Sequence, residues 1–136
     1  MVKEYIGQLH HIGIPTMRMD DTIAFYTSLG AQIIYEKMDE DEGKPIRVVL
    51  FRLCDVVIEC YERTKTVCMP GAIEHIAFQV KDIEKMYREV KEKGYRLMDE
   101  CKEEIQSTTY WPGDTKWFII YGPNEEKIEF SQNLKP

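Results

Sequence analysis

This chain has little of what a membrane or a nucleic acid requires of a protein. No run of residues is long and apolar enough to span a bilayer, and the opening Met1-Val2-Lys3-Glu4-Tyr5-Ile6-Gly7-Gln8 has no apolar core of a secretory signal. Basic residues are outnumbered, 18 Lys and Arg against 24 Asp and Glu, and the resulting net charge of -6 argues against a phosphate-backbone partner, which calls for clustered cations. The cysteines Cys54, Cys60, Cys68 and Cys101 form no Cys-x-x-Cys pair, and in a chain without a signal they read as reduced, partly buried thiols. The expectation is a cytoplasmic protein with no nucleic-acid and no membrane partner.

At 136 residues, 43% of them hydrophobic, the chain has enough length for one compact domain with a working core and no disulfide or structural metal to hold it. Within it a pattern occurs twice. His11-Ile12-Gly13-Ile14 is followed by Asp20-Asp21-Thr22-Ile23-Ala24-Phe25-Tyr26-Thr27-Ser28-Leu29-Gly30. His75-Ile76-Ala77-Phe78-Gln79-Val80 is followed by Asp82-Ile83-Glu84-Lys85-Met86-Tyr87 and, later, Gly94. Each copy sets one His in a β-like run, then an amphipathic helix closed by Gly. Each ends in an apolar strand carrying one Glu, Ile58-Glu59-Cys60 and Ile128-Glu129-Phe130. A period of this length fits a two-module duplication rather than a solenoid.

The element order follows from the same signals. Strands are predicted over 9–14, 32–37, 46–53 and 56–61, then over 73–80, 95–99, 117–121 and 127–131. Residues 21–29 read as a helix capped by Asp20 or Asp21, with Ile23, Tyr26 and Leu29 on one face and Gly30 past its end. Residues 82–93 are the clearest helix, since Ile83, Met86, Tyr87 and Val90 follow the i, i+3, i+4, i+7 spacing. The acidic run between Met38 and Pro45 reads as a solvated hairpin tip. Residues 101–116 read as a longer irregular segment with exposed Tyr110 and Trp111, of the kind that lines sites. The chain is thus a single domain, 1–136, of two βαβββ modules, about 6–63 and about 72–133.

Strand alternation places the His and Glu side chains. His11 and Gly13 share one face of the first strand, and His75, Ala77 and Gln79 share one face of its counterpart. Ile12 and Ile14, like Ile76, Phe78 and Val80, take the opposite face, toward the helices. Glu59 and Glu129 each lie between apolar neighbours, where a carboxylate is costly unless paired, protonated or bound to metal. Two His and two Glu at equivalent places, His11, Glu59, His75 and Glu129, are the makings of one metal site. Imidazole nitrogen with carboxylate oxygen suits Ni, Zn, Co, Fe or Mn. His10 falls on the opposite face, and His11 is preferred because its register matches that of His75.

At these residues the chain resembles the vicinal-oxygen-chelate superfamily, which includes glyoxalase I, methylmalonyl-CoA epimerase, extradiol dioxygenases and fosfomycin-resistance enzymes. The resemblance is carried by His11-Ile12-Gly13-Ile14, Phe25-Tyr26-Thr27-Ser28-Leu29-Gly30, Glu74-His75-Ile76-Ala77-Phe78 and Gly122-Pro123-Asn124-Glu125-Glu126-Lys127-Ile128-Glu129. It implies an α+β fold in which two tandem βαβββ modules form a U-shaped mixed sheet around a metal. The His, Glu, His, Glu set resembles that of glyoxalase I in its short form. It implies a metal-dependent lyase or isomerase using nickel or zinc and acting on a small molecule, such as the hemithioacetal of a 2-oxoaldehyde, through a metal-stabilised enediolate. Glu129, with Glu59 sharing the role, would carry the proton, and the protein would be a homodimer, with Trp111, Trp117 and Phe118 as candidate contacts, although core packing explains Trp117 and Phe118 at least as well. An acyl-CoA epimerase and a non-catalytic small-molecule binding protein are the alternatives on the same fold. The resemblance stops at the glutathione contacts: Pro15 and Arg63 stand where glyoxalase I has an Arg and an Asn. Arg18, Arg47 and Arg52 are cations that could serve an anionic substrate in their place, although each reads first as a solvated surface residue.

Overall fold

The computed structural model describes residues 1–109 and 113–135. Its elements repeat one order. The first set is β1 (Ile12–Thr16), α1 (Met19–Ser28), β2 (Gln32–Asp41), β3 (Lys44–Leu53) and β4 (Val56–Glu62). The second is β5 (His75–Gln79), α2 (Ile83–Glu92), β6 (Gln106–Thr108), β7 (Thr115–Tyr121) and β8 (Lys127–Asn133). Each set makes its own four-stranded sheet, ordered β1-β4-β3-β2 and β5-β8-β7-β6. In each sheet the first strand runs parallel to the last, and the remaining pairs are antiparallel. The α+β class and the doubled βαβββ order are those the sequence predicts. The chain divides into two compact units, Met1–Val67 and Cys68–Pro136.

In the first unit α1 packs on β3 and β4. Its buried residues are Met19, Thr22 and Tyr26, with Ile23 and Leu29 half-buried, so the predicted stripe is present and extends a turn further toward the N-terminus. The helix starts at Met19 and not at 21 because Thr16 draws it in. The Thr16 hydroxyl accepts the Arg18 N–H at 2.8 Å and meets the Thr22 hydroxyl at 3.1 Å, both threonines being fully buried. Arg18 is therefore the N-cap, and Asp20 and Asp21 sit in the first turn, where the helix dipole favours acid. Gly30, at φ +99°, follows the helix end as predicted. Tyr26, Phe51, Ile58 and Cys60 fill the core with no exposure. The acidic run is not a loose tip: β2 continues to Asp41, and only Glu42 and Gly43 turn, both at positive φ. Pairing with β3 as far as Asp41↔Lys44 satisfies this backbone while the side chains stay exposed.

In the second unit α2 packs on β7 and β8, burying Ile83, Tyr87 and Val90. Asp82 is its N-cap, but the orphan N–H of Ile83 goes to the Gln132 side chain of β8, at 2.9 Å. The Phe118 ring lies 5.3 Å from both Tyr87 and Phe130 at the centre of this core. The strand predicted at 95–99 does not form. Leu97 makes one isolated bridge to Ile120, and the chain then tightens into a 3-10 turn at Asp99–Cys101. That turn sinks Cys101 into the core, where the Tyr87 hydroxyl donates to its carbonyl. The pairing strand is instead β6, within the stretch expected to be irregular, with Gln106 opposite Trp117. Tyr110 and Trp111 lie outside the described residues. Among the described residues, no helix is long and apolar enough to cross a membrane.

Phe118→Ala empties a space between two rings, and such a change costs about 3–5 kcal/mol. Urea denaturation is expected to show that loss; a cost under about 1 kcal/mol, within the range of a surface change, would contradict the packing. The thiols give a second check. Cys54 and Cys68 are exposed, Cys60 and Cys101 are buried, and burial pushes the Cys101 thiol above its ordinary range. A thiol reagent should label Cys54 and Cys68 in the native protein and all four only after denaturation. Fast native labelling of Cys101 would contradict its placement.

Candidate metal centre

Each parallel strand pair lays a Glu beside a small residue. Gly13 of β1 pairs with Glu59 of β4, and Ala77 of β5 pairs with Glu129 of β8. The His two residues upstream of each small residue faces that Glu. On the other face the neighbours are the core: Ile58 and Cys60 beside Glu59 have no exposure, and Ile128 and Phe130 beside Glu129 are buried. The alternation predicted for the strands is present. Ile14 is buried, Ile12, Ile76 and Phe78 are half-buried, and Gly13, His75, Ala77 and Gln79 are exposed. The boundaries differ: β1 runs Ile12–Thr16 and not 9–14, so His11 is the residue just before it, and β5 begins at His75 and not at 73.

The contacts form two equivalent pairs. His11 Nε2 lies 3.1 Å from Glu59 Oε2. His75 Nε2 lies 3.8 Å from Glu129 Oε1. Glu129 is the more enclosed of the two carboxylates, with 18% of its side chain exposed against 35% for Glu59. Its other oxygen, Oε2, accepts a hydrogen bond of 2.7 Å from the Ser131 hydroxyl. Among the described residues no group of three or more His, Cys, Asp or Glu side chains lies close enough to hold a metal ion. His11 is thus brought to Glu59, and His75 to Glu129, as pairs.

Sequence patterning missed the groups that hold these imidazoles. His75 Nδ1 lies 3.0 Å from Glu74 Oε1, and Glu74 Oε2 lies 3.3 Å from the Lys127 ammonium. The hydrogen bond from His75, then the one from Lys127, hold the Glu74 carboxyl below its usual range. In the first module the same atom, His11 Nδ1, lies 2.8 Å from Nδ1 of His10. The contact could be sought in the sequence only as a polar residue directly before each candidate His, which is a weak signal.

Around the second pair is a cleft of about 210 Å³ whose walls include His75, Glu129 and Lys127 together with Met98, Trp117 and Ile119. Its lining is mostly polar, since Glu74, Thr108 and Thr115 complete it. Trp117 belongs to this cleft, and Phe118 is fully buried, the core placement that is its other reading. Of the three arginines, Arg52 lies opposite Val57 in the ladder of β3 and β4, on the sheet face that carries Glu59. Arg18 is bound to Asp21, Arg47 to Asp20 and Glu36, and Arg52 is exposed on the face of β3 opposite its buried neighbours Phe51 and Leu53. Arg63 stacks over the Tyr61 ring at 4.7 Å.

The sequence matches the family model of the Glyoxalase/Bleomycin resistance protein/Dioxygenase superfamily over residues 8–130. The chain belongs to this superfamily. Its fold is similar to that of a glyoxalase family protein from Enterococcus faecalis, with a TM-score of 0.73 at 19% identity over 93% of this chain and 98% of that one. It is similar also to FosX, a genomically encoded fosfomycin resistance protein from Listeria monocytogenes solved with Mn(II) and sulfate. There the TM-score is 0.69 at 18% identity, over 93% of each chain. At these identities the likeness is one of fold. A search of curated protein sequences finds no significant match.

The donor chemistry in this superfamily member fits a divalent transition ion. Each pair offers one imidazole nitrogen and one carboxylate oxygen, the ligand types that nickel, zinc and manganese share. Each Glu is placed by a central strand and not by a flexible loop, and each His is steadied at its second nitrogen, as ligating histidines generally are.

Proposed function

We propose that His11, Glu59, His75 and Glu129 together ligate one divalent transition-metal ion, nickel or zinc, and that the protein is a metal-dependent lyase or isomerase resembling glyoxalase I. The observation that carries this reading is the repeated contact: in each module a His Nε2 faces a Glu carboxylate set beside a glycine or alanine. A bound ion supplies Lewis-acid polarisation of a substrate carbonyl. His11 and His75 are neutral nitrogen donors and stay in place. Glu129 is the proton carrier. Its Oε1 faces His75 and its Oε2 is held by Ser131, so the carboxylate is aimed rather than free to rotate. It accepts the proton from the carbon next to the carbonyl and returns it to the neighbouring carbon, the work of a general base and then a general acid. Glu59, the more exposed carboxylate, shares this role.

The substrate is a small molecule with two vicinal oxygens, such as the hemithioacetal of a 2-oxoaldehyde. Pro15 and Arg63 supply none of the expected glutathione contacts, so a thiol other than glutathione is in keeping with the site. A cytoplasmic homodimer completes the proposal.

Glu129→Gln keeps the shape of the side chain and removes its basicity. With a 2-oxoaldehyde and a panel of thiols, the nickel-loaded wild-type protein is expected to turn over, and the variant to lose about 10²–10⁴-fold in kcat while its circular dichroism is unchanged. Wild-type rates in the variant would overturn the assignment. Turnover of acyl thioesters but not of hemithioacetals would move the protein to the epimerases.

A further inference from the structure

We propose that Glu74 is a positioning residue for the metal centre: it accepts the Nδ1 proton of His75 and so leaves the Nε2 lone pair of that ring as the ligand. The inference rests on the metal reading above and adds to it a residue that is not itself a ligand. Its basis is geometry. His75 Nδ1 is 3.0 Å from Glu74 Oε1, whereas His75 Nε2 faces Glu129. A carboxylate only accepts, so the nitrogen that meets Glu74 at hydrogen-bonding distance must carry the proton. In a neutral imidazole the other nitrogen then carries the lone pair, and only that nitrogen can bind a metal.

Glu74 is itself held. Lys127 Nζ lies 3.3 Å from its second oxygen, and Lys127 is the residue that pairs with His75 in the parallel ladder of β5 and β8. The backbone register that sets Glu129 beside Ala77 therefore also sets the ammonium beside the carboxylate that orients the ring. The arrangement links Lys127, Glu74, the His75 ring and Glu129 in one chain of contacts. The first module places a different residue there: His10 precedes His11 and meets its Nδ1 at 2.8 Å, while His11 Nε2 lies 3.1 Å from Glu59 Oε2. Two modules with little sequence in common thus place a polar side chain at the same nitrogen of the equivalent ring. The two differ in what they dictate. Glu74 permits one tautomer of its partner, whereas His10 can donate or accept and permits either.

The test uses Glu74→Ala and Glu74→Gln in the full chain. Glu74 is exposed, with 54% of its side chain open to solvent, so neither change empties a core. Nitrogen NMR of the His75 ring in metal-free protein reads the tautomer directly, and a nickel titration against a competing chelator reads affinity. The wild type is expected to hold His75 protonated at Nδ1. Glu74→Ala is expected to release it to the mixture of a free imidazole and to weaken nickel binding about 10–100-fold. Glu74→Gln, whose carbonyl still accepts, should fall between the two. Nickel affinity within twofold of wild type and an unchanged tautomer in Glu74→Ala would overturn the inference and leave the metal reading standing. A wild-type protein that binds no nickel would overturn both.

Discussion

A carboxylate in the middle of a sheet whose other face is core is the constraint from which the rest of this protein follows. Glu59 sits between Ile58 and Cys60, and Glu129 between Ile128 and Phe130, none of the four neighbours exposed by more than 4%. On the open face each carboxylate is partly solvated, with 35% of the Glu59 side chain and 18% of that of Glu129 exposed, and each takes a His partner there. The parallel pairing of β1 with β4 and of β5 with β8 provides one. It sets a glycine or alanine directly beside each carboxylate and a His at the near end of the same strand. A Cβ at Gly13 would meet the Tyr61 ring at 3.5 Å, an ordinary van der Waals contact.

The helices serve that register. α1 and α2 each return the chain from the first strand of a module so that the next three can be laid antiparallel. They are fixed by different means. Buried threonines fix the start of α1, and the Gln132 amide of β8 receives the first N–H of α2. The second module also departs from the first after its helix. Burial of Cys101 and the Tyr87 hydroxyl bond take up chain that the first module spends on a long edge strand, and β6 is accordingly only Gln106–Thr108. The His–Glu contact occurs in both modules despite these differences.

Much of this was legible in the chain. Period-two alternation around His75 and the i, i+3, i+4, i+7 spacing from Ile83 to Val90 are local signals, and local signals set strands and helices. The four candidate ligands were legible for the same reason, because a His or a Glu in an apolar strand is conspicuous. What was not legible depends on partners distant in sequence. The start of α1 depends on a hydroxyl at Thr16, the first hydrogen bond of α2 on Gln132, and the loss of a strand at 95–99 on where Cys101 finds its cavity. Glu74 and Lys127 were invisible as a pair because only the parallel register joins residues so far apart. The length of β2 was misjudged since charge was allowed to outweigh backbone pairing, and an edge strand with solvated side chains tolerates acid well.

The central claim is that two His–Glu pairs act as one ligand set. Metal content, measured in the wild type beside His11→Ala and His75→Ala after reconstitution with nickel or zinc, tests it most directly. One set predicts about one ion per chain in the wild type and almost none in either variant, since each loses a ligand of the same ion. Two ions per chain, or half of the metal kept in each variant, would mean that the pairs work independently, and the account would be wrong.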